Sequence, residues 1–539
     1  MKSKYIFFAV SLFAALSANA QETYENAKLA GEDLNGTARY VGMGGAMEAL
    51  GADISTIGSN PAGIGLFRHS NVSLSAGLLM QSDGKEFSNG KKTNLSFDQI
   101  GGVYTTRTGQ KSFLNFGFNY HKSKNFDYIL NAAGSLNGSS QNKQSYIKGM
   151  LGDQKVGGFN VGKNKDGQNI GYVDAKSSDV AYTWSQIDYL YWNSLIPGSN
   201  GLYNYEKATG YTLDRAHTGY IGNYDFAVSG NLNDRVYLGL TFGMKDVNYK
   251  GYSEYRENLN NAGGVLVRDE RKVTGSGFDI TVGVIVRPVA ESPFRIGAYV
   301  KSPTWYDLTT SNVTRLVYAS GTSSQEKGVP NSPNSYDFKM WTPWKFGFSL
   351  GHTVGNYLAL GATYEYENYS NINSRVNDGG YYDYYDGQYY ESSSPDRIMN
   401  AHTKEVLKGV STLKLGIEYK PVSNVALRAG YNYVSAMYVN DAQKDPGLAS
   451  LGTSYASTTD YTNWGEINRF TLGVGYQVKK FNIDLAYQYS AQKGSFAPFS
   501  NVNITYTSGT TKITESNIAS NTDVKNNRSQ LLLTLGYRF

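Results

Sequence analysis

The chain has 539 residues, a formal charge of +5, 60 glycines, 45 tyrosines, 14% aromatic residues and no cysteine. The lack of cysteine excludes disulfides and thiolate zinc centres, and so small a charge over this length argues against nucleic-acid binding. Beyond the first twenty residues no apolar run approaches 18, which excludes helical membrane spans.

At the N-terminus Lys2 and Lys4 precede the apolar run Tyr5 to Leu16, and Ala18-Asn19-Ala20 forms a small-x-small cleavage site. This order of parts predicts a secretory signal peptide over residues 1–20 and a mature chain from Gln21. Residues 21–69 follow without long alternation. They are rich in small residues, as in GTARYVGMGGAMEALGADISTIGSNPAGIG. Gly42-Met43-Gly44-Gly45 does not extend to a dinucleotide-binding loop, because Met47 takes the sixth place of G-x-G-x-x-G.

From residue 70 the chain alternates with period two. In FNIDLAYQYS, Phe481, Ile483, Leu485, Tyr487 and Tyr489 share one face, and Asn482, Asp484, Ala486, Gln488 and Ser490 the other. Segments of this kind fall at 70–81, 94–107, 111–121, 220–231, 234–251, 270–288, 294–310, 336–351, 356–370, 409–420, 424–436, 467–478, 481–492 and 528–539. Most reach the length that a tilted strand needs to cross a bilayer. The polar face carries Gly, Ser, Thr, Asn and charged residues, whereas the apolar face ends in aromatics. Short joints alternate with long ones, the long ones at 82–93, 122–219, 252–269, 311–335, 371–408, 437–466 and 493–527. Alternating turn lengths and an aromatic girdle mark a membrane barrel, with the long loops outside. The expected fold is therefore all-β: a 14-stranded antiparallel transmembrane β-barrel over 70–539 in the outer membrane of a Gram-negative bacterium. The last strand, SQLLLTLGYRF, ends at Phe539, which resembles the signal read by the barrel-assembly machinery.

A barrel of that width needs an open pore or a plug. The glycines of 21–69 permit tight turns and close backbone approach, and Pro61 fixes one turn. The segment is thus expected to be an N-terminal hatch inside the lumen. With Asn60-Pro61-Ala62-Gly63 as the distinctive motif, and with PWKFGFSLGH (Pro343 to His352), the chain resembles the FadL/TodX family of outer-membrane transporters. The resemblance implies passive uptake of hydrophobic small molecules such as long-chain fatty acids or aromatic hydrocarbons. Gating would involve Asn60, Pro61, Ala62 and Gly63, and exit would be sideways into outer-membrane lipid at a kink in the third strand. That strand is KSFLNFGFNY, so Gly117 is the candidate for a lateral opening; an ordinary lumen-facing glycine is the other reading. The loops 122–219 and 371–408 look long for the family.

Five histidines, His69, His121, His217, His352 and His402, show no metal-ligand spacing. No nucleophile–base grouping stands out. Neither cofactor, metal, nucleic acid nor enzymatic activity is expected. The tract DGGYYDYYDGQYY, 378–390, reads as a tyrosine-rich surface loop or as the rim of a funnel. Two alternatives stay open: an outer-membrane shuttle or interaction protein on the same fold, and a haem or polar-solute porin.

Overall fold

The computed structural model describes residues 22–539 apart from 88–89, 153–158, 164–166, 168, 174–184, 197–204, 321–322, 330–331, 449 and 509; the leader expected over 1–20 lies outside the described residues. Fourteen strands form a closed antiparallel ring. The first six are Asn71–Gln81, Thr93–Arg107, Phe113–Asn125, Ala208–Leu232, Val236–Leu259 and Gly263–Val286. The next three come in two pieces each. The seventh is Arg295–Lys301 and Trp305–Ser320, the eighth Asn334–Trp341 and Lys345–Val354, the ninth Leu358–Asn368 and Asn373–Asp383. The tenth to fourteenth are Gly409–Val422, Val425–Val434, Tyr461–Val478, Phe481–Ala497 and Arg528–Arg538. Each strand pairs with its successor. The fourteenth returns to the first with Leu535 opposite Leu74 and Leu531 opposite Leu78, so no edge is left unpaired.

Alternation decides which face looks where. In the thirteenth strand Phe481, Ile483, Leu485 and Tyr487 are 41–58% exposed, whereas Ala486 and Gln488 are buried. The twelfth repeats this, with Phe470, Leu472, Val474 and Tyr476 outside and Arg469 and Thr471 inside. The apolar face is therefore the exterior of the cylinder. An apolar band that encircles the molecule is the surface of a membrane-spanning barrel, in which every backbone group of the wall is paired.

The polarity of the strands inverts partway along. In the fifth strand the exposed outward residues run Leu238, Phe242, Met244, and then become Lys250, Arg256 and Asn258. Its inward residues change the other way, from Thr241 and Lys245 to Val247, Tyr249, Tyr255 and Leu259. The sixth matches it: Phe278 and Val282 face outward in the band, whereas Lys272 and Glu270 are the exposed residues further out. Past the band the wall thus behaves as a water-soluble sheet folded around an apolar interior. Two buried clusters fill that interior. One gathers Tyr249, Tyr306, Tyr336, Phe338 and Tyr438. The other gathers Leu190, Tyr191, Tyr211, Tyr255 and Phe496, with the helix Gln186–Ser194 packed into it.

This outer structure corrects the loop boundaries read from alternation. The joint expected over 252–269 is a continuation of the fifth and sixth strands, paired from Gly251↔Arg271 to Leu259↔Gly263. The joint 371–408 holds a hairpin, Asn373–Asp383 with Gln388–Pro395, and the helix Arg397–Val406. The cause is the inversion itself, because a strand whose oily face switches sides stops looking like a membrane strand while remaining a strand.

Residues 22–69 run through the middle of the ring. Helix α1, Thr23–Ala30, packs in the outer cluster through Tyr24, Ala27 and Leu29. Helix α2, Ala38–Gly42, meets the eleventh to fourteenth strands. Two 3-10 turns, Ile54–Gly58 and Pro61–Leu66, meet the second to sixth strands between them. Arg68 then pairs with Asp234 at a short turn, just before the first strand begins. A segment that touches inward-facing residues on every side of a closed wall lies within it.

Candidate functional site: the filled bore

The Asn60-Pro61-Ala62-Gly63 motif is a turn seated on glycines of the wall. Asn60 caps the turn by accepting from the Ala62 N–H at 3.2 Å and donates through Nδ2 to the Glu48 carbonyl at 3.1 Å. Pro61 occupies the first position, where a missing N–H costs nothing. The Gly63 carbonyl accepts from the Ala52 N–H at 3.0 Å. A Cβ at Gly239 would run into the backbone of Pro61 and Ala62, and one at Gly283 into the Asn60 side chain. Further around, a Cβ at Gly361 would strike the Ala46 carbonyl, and one at Gly416 that of Met43. Glycines on the inward face of the strands are therefore what lets the segment come backbone-close to the wall.

Charged networks tie the same segment down. Arg39 pairs with Glu418 at 3.1 Å, which also holds Arg428 at 2.6 Å, which in turn holds Asp484 at 2.6 Å. Glu48 is fully buried and accepts from Tyr40 at 2.9 Å, from Thr363 at 2.7 Å and from Lys414 at 2.8 Å. Lys414 bridges on to Glu365 at 2.6 Å. Higher in the bore, where the apolar band ends, Glu32 meets Lys245 at 3.2 Å, Lys301 at 3.0 Å and Lys345 at 2.6 Å. Sequence reading had no access to Glu32, Arg39 or Glu48 as site residues, because their partners lie hundreds of positions away. A run of lone inward charges on otherwise small-residue strands was the one available hint.

Two cavities of about 20 Å³ each flank the segment, room for about one water apiece. The first is lined by Leu29, Ala30, Ile221 and Tyr306 on its apolar side and by the Glu32 lysines on the other.

Gly117 is paired on both sides, with Val103 and with Ala227, and both ladders run through it without a shift. The irregularity in the third strand comes later, between Lys122 and Lys124. Gly117 faces inward, where a Cβ would lie 2.7 Å from Ile57 and 3.0 Å from Ile64 of the N-terminal segment. The wall is interrupted elsewhere. Ser302-Pro303-Thr304 breaks the seventh strand opposite Thr342-Pro343-Trp344 in the eighth, and the ninth breaks at Tyr369–Asn371. Among the described residues, only bonds between Thr304 and Thr342, at 2.7 and 3.1 Å, join the first two there, and the first cavity lies directly behind them.

The histidines are scattered: His121 lies 3.3 Å from Asp225, His217 bonds Tyr249 at 2.6 Å, and His402 contacts Thr23 at 3.1 Å. Among the described residues no group of His, Asp and Glu could hold a metal ion. The hairpin bearing 378–390 projects into solvent, with Tyr384 and Tyr385 fully or almost fully exposed.

No protein-family model matches the chain, and no curated protein is similar to it by sequence. Among solved structures it is similar to the toluene transporter TbuX of Ralstonia pickettii, at 12% identity and TM-score 0.46, covering 94% of this chain and 99% of that one. It is also similar to a FadL homologue from Pseudomonas aeruginosa, at 12% identity and TM-score 0.47, covering 95% and 100%. The toluene transporter TodX of Pseudomonas putida follows at 10% identity and TM-score 0.43, covering 94% and 99%.

Proposed function

We propose that this chain is an outer-membrane channel for passive uptake of hydrophobic small molecules, gated by residues 21–69 as a hatch. The observation that carries the reading is the lining of the route. Around the hatch's helix α1 the interior is apolar and tyrosine-rich, formed by Tyr249, Tyr306, Tyr336 and Phe338. A polar solute gains nothing there, whereas a greasy one leaves water on entering. The hatch is held by ion pairs and hydrogen bonds to glycine-rich walls and by apolar packing of Val41, Met43, Ile57 and Ile64. Asn60, Pro61, Ala62 and Gly63 form the turn by which it rests on Gly239 and Gly283 of the wall, and delivery into membrane lipid avoids a second crossing of water. The final strand, ending at Phe539, would be what the barrel-assembly machinery engages.

Exit through the wall beside Gly117 stays part of the proposal, with the hatch packed on that residue as the obstacle. The paired interruptions at Ser302-Pro303-Thr304 and Thr342-Pro343-Trp344 favour a second place for it, since fewer ladder bonds would need to part. Cells lacking the chain should take up labelled toluene or oleate more slowly than complemented cells, and equal rates would refute the channel. In the same assay Gly117→Val, which forces Ile57 and Ile64 away, should alter the rate. An unchanged rate in an assembled barrel removes Gly117 and leaves the seventh–eighth strand site.

The exposed tyrosines at 381–390 favour a second reading, partner docking on the outer face. Deleting 376–395 should abolish partner crosslinking and spare uptake if that reading holds.

A further inference from the structure

The short turns share one rim of the barrel, the rim that faces the periplasm in barrels of this architecture, and their unpaired charges are almost all of one sign. Arg107 and Lys111 flank the turn between the second and third strands. Arg235 belongs to the turn between the fourth and fifth, and Arg287 opens the one between the sixth and seventh. Lys479 and Lys480 join the twelfth strand to the thirteenth, and Arg538 ends the fourteenth. The arginines spend their hydrogen bonds on turn carbonyls: Arg107 on Gly109 and Gln110 at 2.9 and 2.6 Å, Arg235 on Arg287 and Pro288 at 2.9 and 2.7 Å. Such bonds fasten the turns and neutralise no charge. Among the described residues, the ion pairs of this end join Arg68 to Asp234 and hold Glu418 among Arg39, Arg428 and Lys420, with Arg428 also on Asp484; none takes in any of the seven cations.

Against those seven stand the exposed Glu291 and the carboxylate that follows Phe539. Side chains alone give seven against one, a larger excess than the +5 of all 539 residues, so the charge is concentrated at this rim rather than spread over the chain. The other border of the apolar band differs. On the fifth, sixth, tenth, twelfth and fourteenth strands its outward residues are Asp246, Ser276, Ser411, Asn468 and Ser529. Beside the basic rim the wall is apolar and open, with Leu232, Val289, Val478, Phe481 and Phe539 42–58% exposed. Lys480 directly precedes Phe481, and Arg538 directly precedes Phe539. An occupant must therefore offer negative charge next to hydrocarbon. An acidic soluble protein could meet the turns from below, but it would leave the apolar flank uncovered.

We propose that the periplasmic rim is a binding surface for phospholipids whose headgroup is net negative, drawn from the inner leaflet of the surrounding membrane. The acyl chains lie on the apolar flank, and the phosphodiester meets the cations, whose long stems let the charged ends reach headgroup depth. A zwitterionic headgroup brings its own cation into this row of like charges, whereas an anionic one brings none, and the rim discriminates on that difference. The attraction is short-ranged, fading within a Debye length, so it acts on the lipids that touch the wall. The surface needs only the barrel in its membrane and goes beyond the channel reading, which it neither supports nor requires.

The test uses the purified full chain in neutral detergent, offered equal amounts of dioleoylphosphatidylglycerol and dioleoylphosphatidylcholine, with the retained lipids counted by native mass spectrometry. Phosphatidylglycerol should be retained over phosphatidylcholine at least roughly fivefold, the scale of one cation near an anionic headgroup. Lys479→Gln with Lys480→Gln, and independently Arg107→Gln with Lys111→Gln, should each at least roughly halve that ratio, and the four changes together should bring it to about one. Lys250→Gln with Lys272→Gln, exposed on the outer extension of the fifth and sixth strands, should leave it unchanged. A ratio of about one in the unaltered chain overturns the proposal, as does a preference that survives the four rim changes or one that falls only with the outer pair. Displacement of the bound phosphatidylglycerol by equimolar glycerol 1-phosphate also overturns it, because the rim would then hold a free phosphate rather than a bilayer lipid.

Discussion

Single residues divide into those whose role shows locally and those whose role needs a distant partner. Asn60, Pro61 and Gly63 belong to the first kind, because a cap, a fixed φ and a close approach are properties of adjacent positions. Glu32 belongs to the second, with its lysines 213, 269 and 313 positions away. Glu257, in the outer extension of the fifth strand, is another. It accepts from the Tyr255 hydroxyl at 2.7 Å and the Gln141 N–H at 2.8 Å, while its Oε2 accepts no hydrogen bond among the described residues. Burial pushes its carboxyl up from 4.5 to about 7, against the lowering effect of those two donors. A folded pKa above the unfolded one means that ionisation opposes folding. The penalty is absent below about pH 4.5, grows between there and pH 7, and is complete above. At about 1.4 kcal/mol per tenfold in proton affinity it is on the order of 3 kcal/mol. Glu257→Gln should therefore stabilise the outer structure at pH 8 and hardly at all at pH 4.5, read as the difference in thermal midpoint. An equal difference at both pH values would show that the carboxyl is not buried as described.

At the level of elements, all fourteen strands were visible in the alternation, because each crosses the bilayer with one oily face, and period two is a local signal. What was hidden is how far they extend. Beyond Met244 the outward face turns polar and Val247 and Tyr249 turn inward, so a rule that looks for an oily exterior ends the strand too soon. The breaks at Pro303 and Pro343 were hidden for another reason: each proline sits inside a stretch whose flanks still alternate in register. The inversion makes a position-dependent prediction. Phe242→Arg, outward in the band, should cost on the order of 2–4 kcal/mol, whereas Asn248→Arg, a few residues farther out, should cost about 0–1 kcal/mol. Urea unfolding of the detergent- or lipid-embedded barrel measures both. Equal costs would place the band elsewhere.

For the whole molecule, closure of the ring and the course of the N-terminal segment follow from contacts that no window of sequence contains. The apolar exterior, the width of a fourteen-stranded barrel and the small-residue segment 21–69 together implied a plugged cylinder. That the segment is fixed at both ends, by α1 in the outer cluster and by Arg68 at the opposite rim, required the fold. Under the proposed function, movement of the segment is the step on which passage depends. The chain has no cysteine of its own, and a Cβ added at Gly297 would lie 3.5 Å from that of Ala49, within the spacing of a disulfide. Ala49→Cys combined with Gly297→Cys should crosslink in intact cells, stop uptake of labelled toluene, and release it again on reduction. A pair that crosslinks fully while uptake continues at the unlinked rate would contradict a gate formed by this segment.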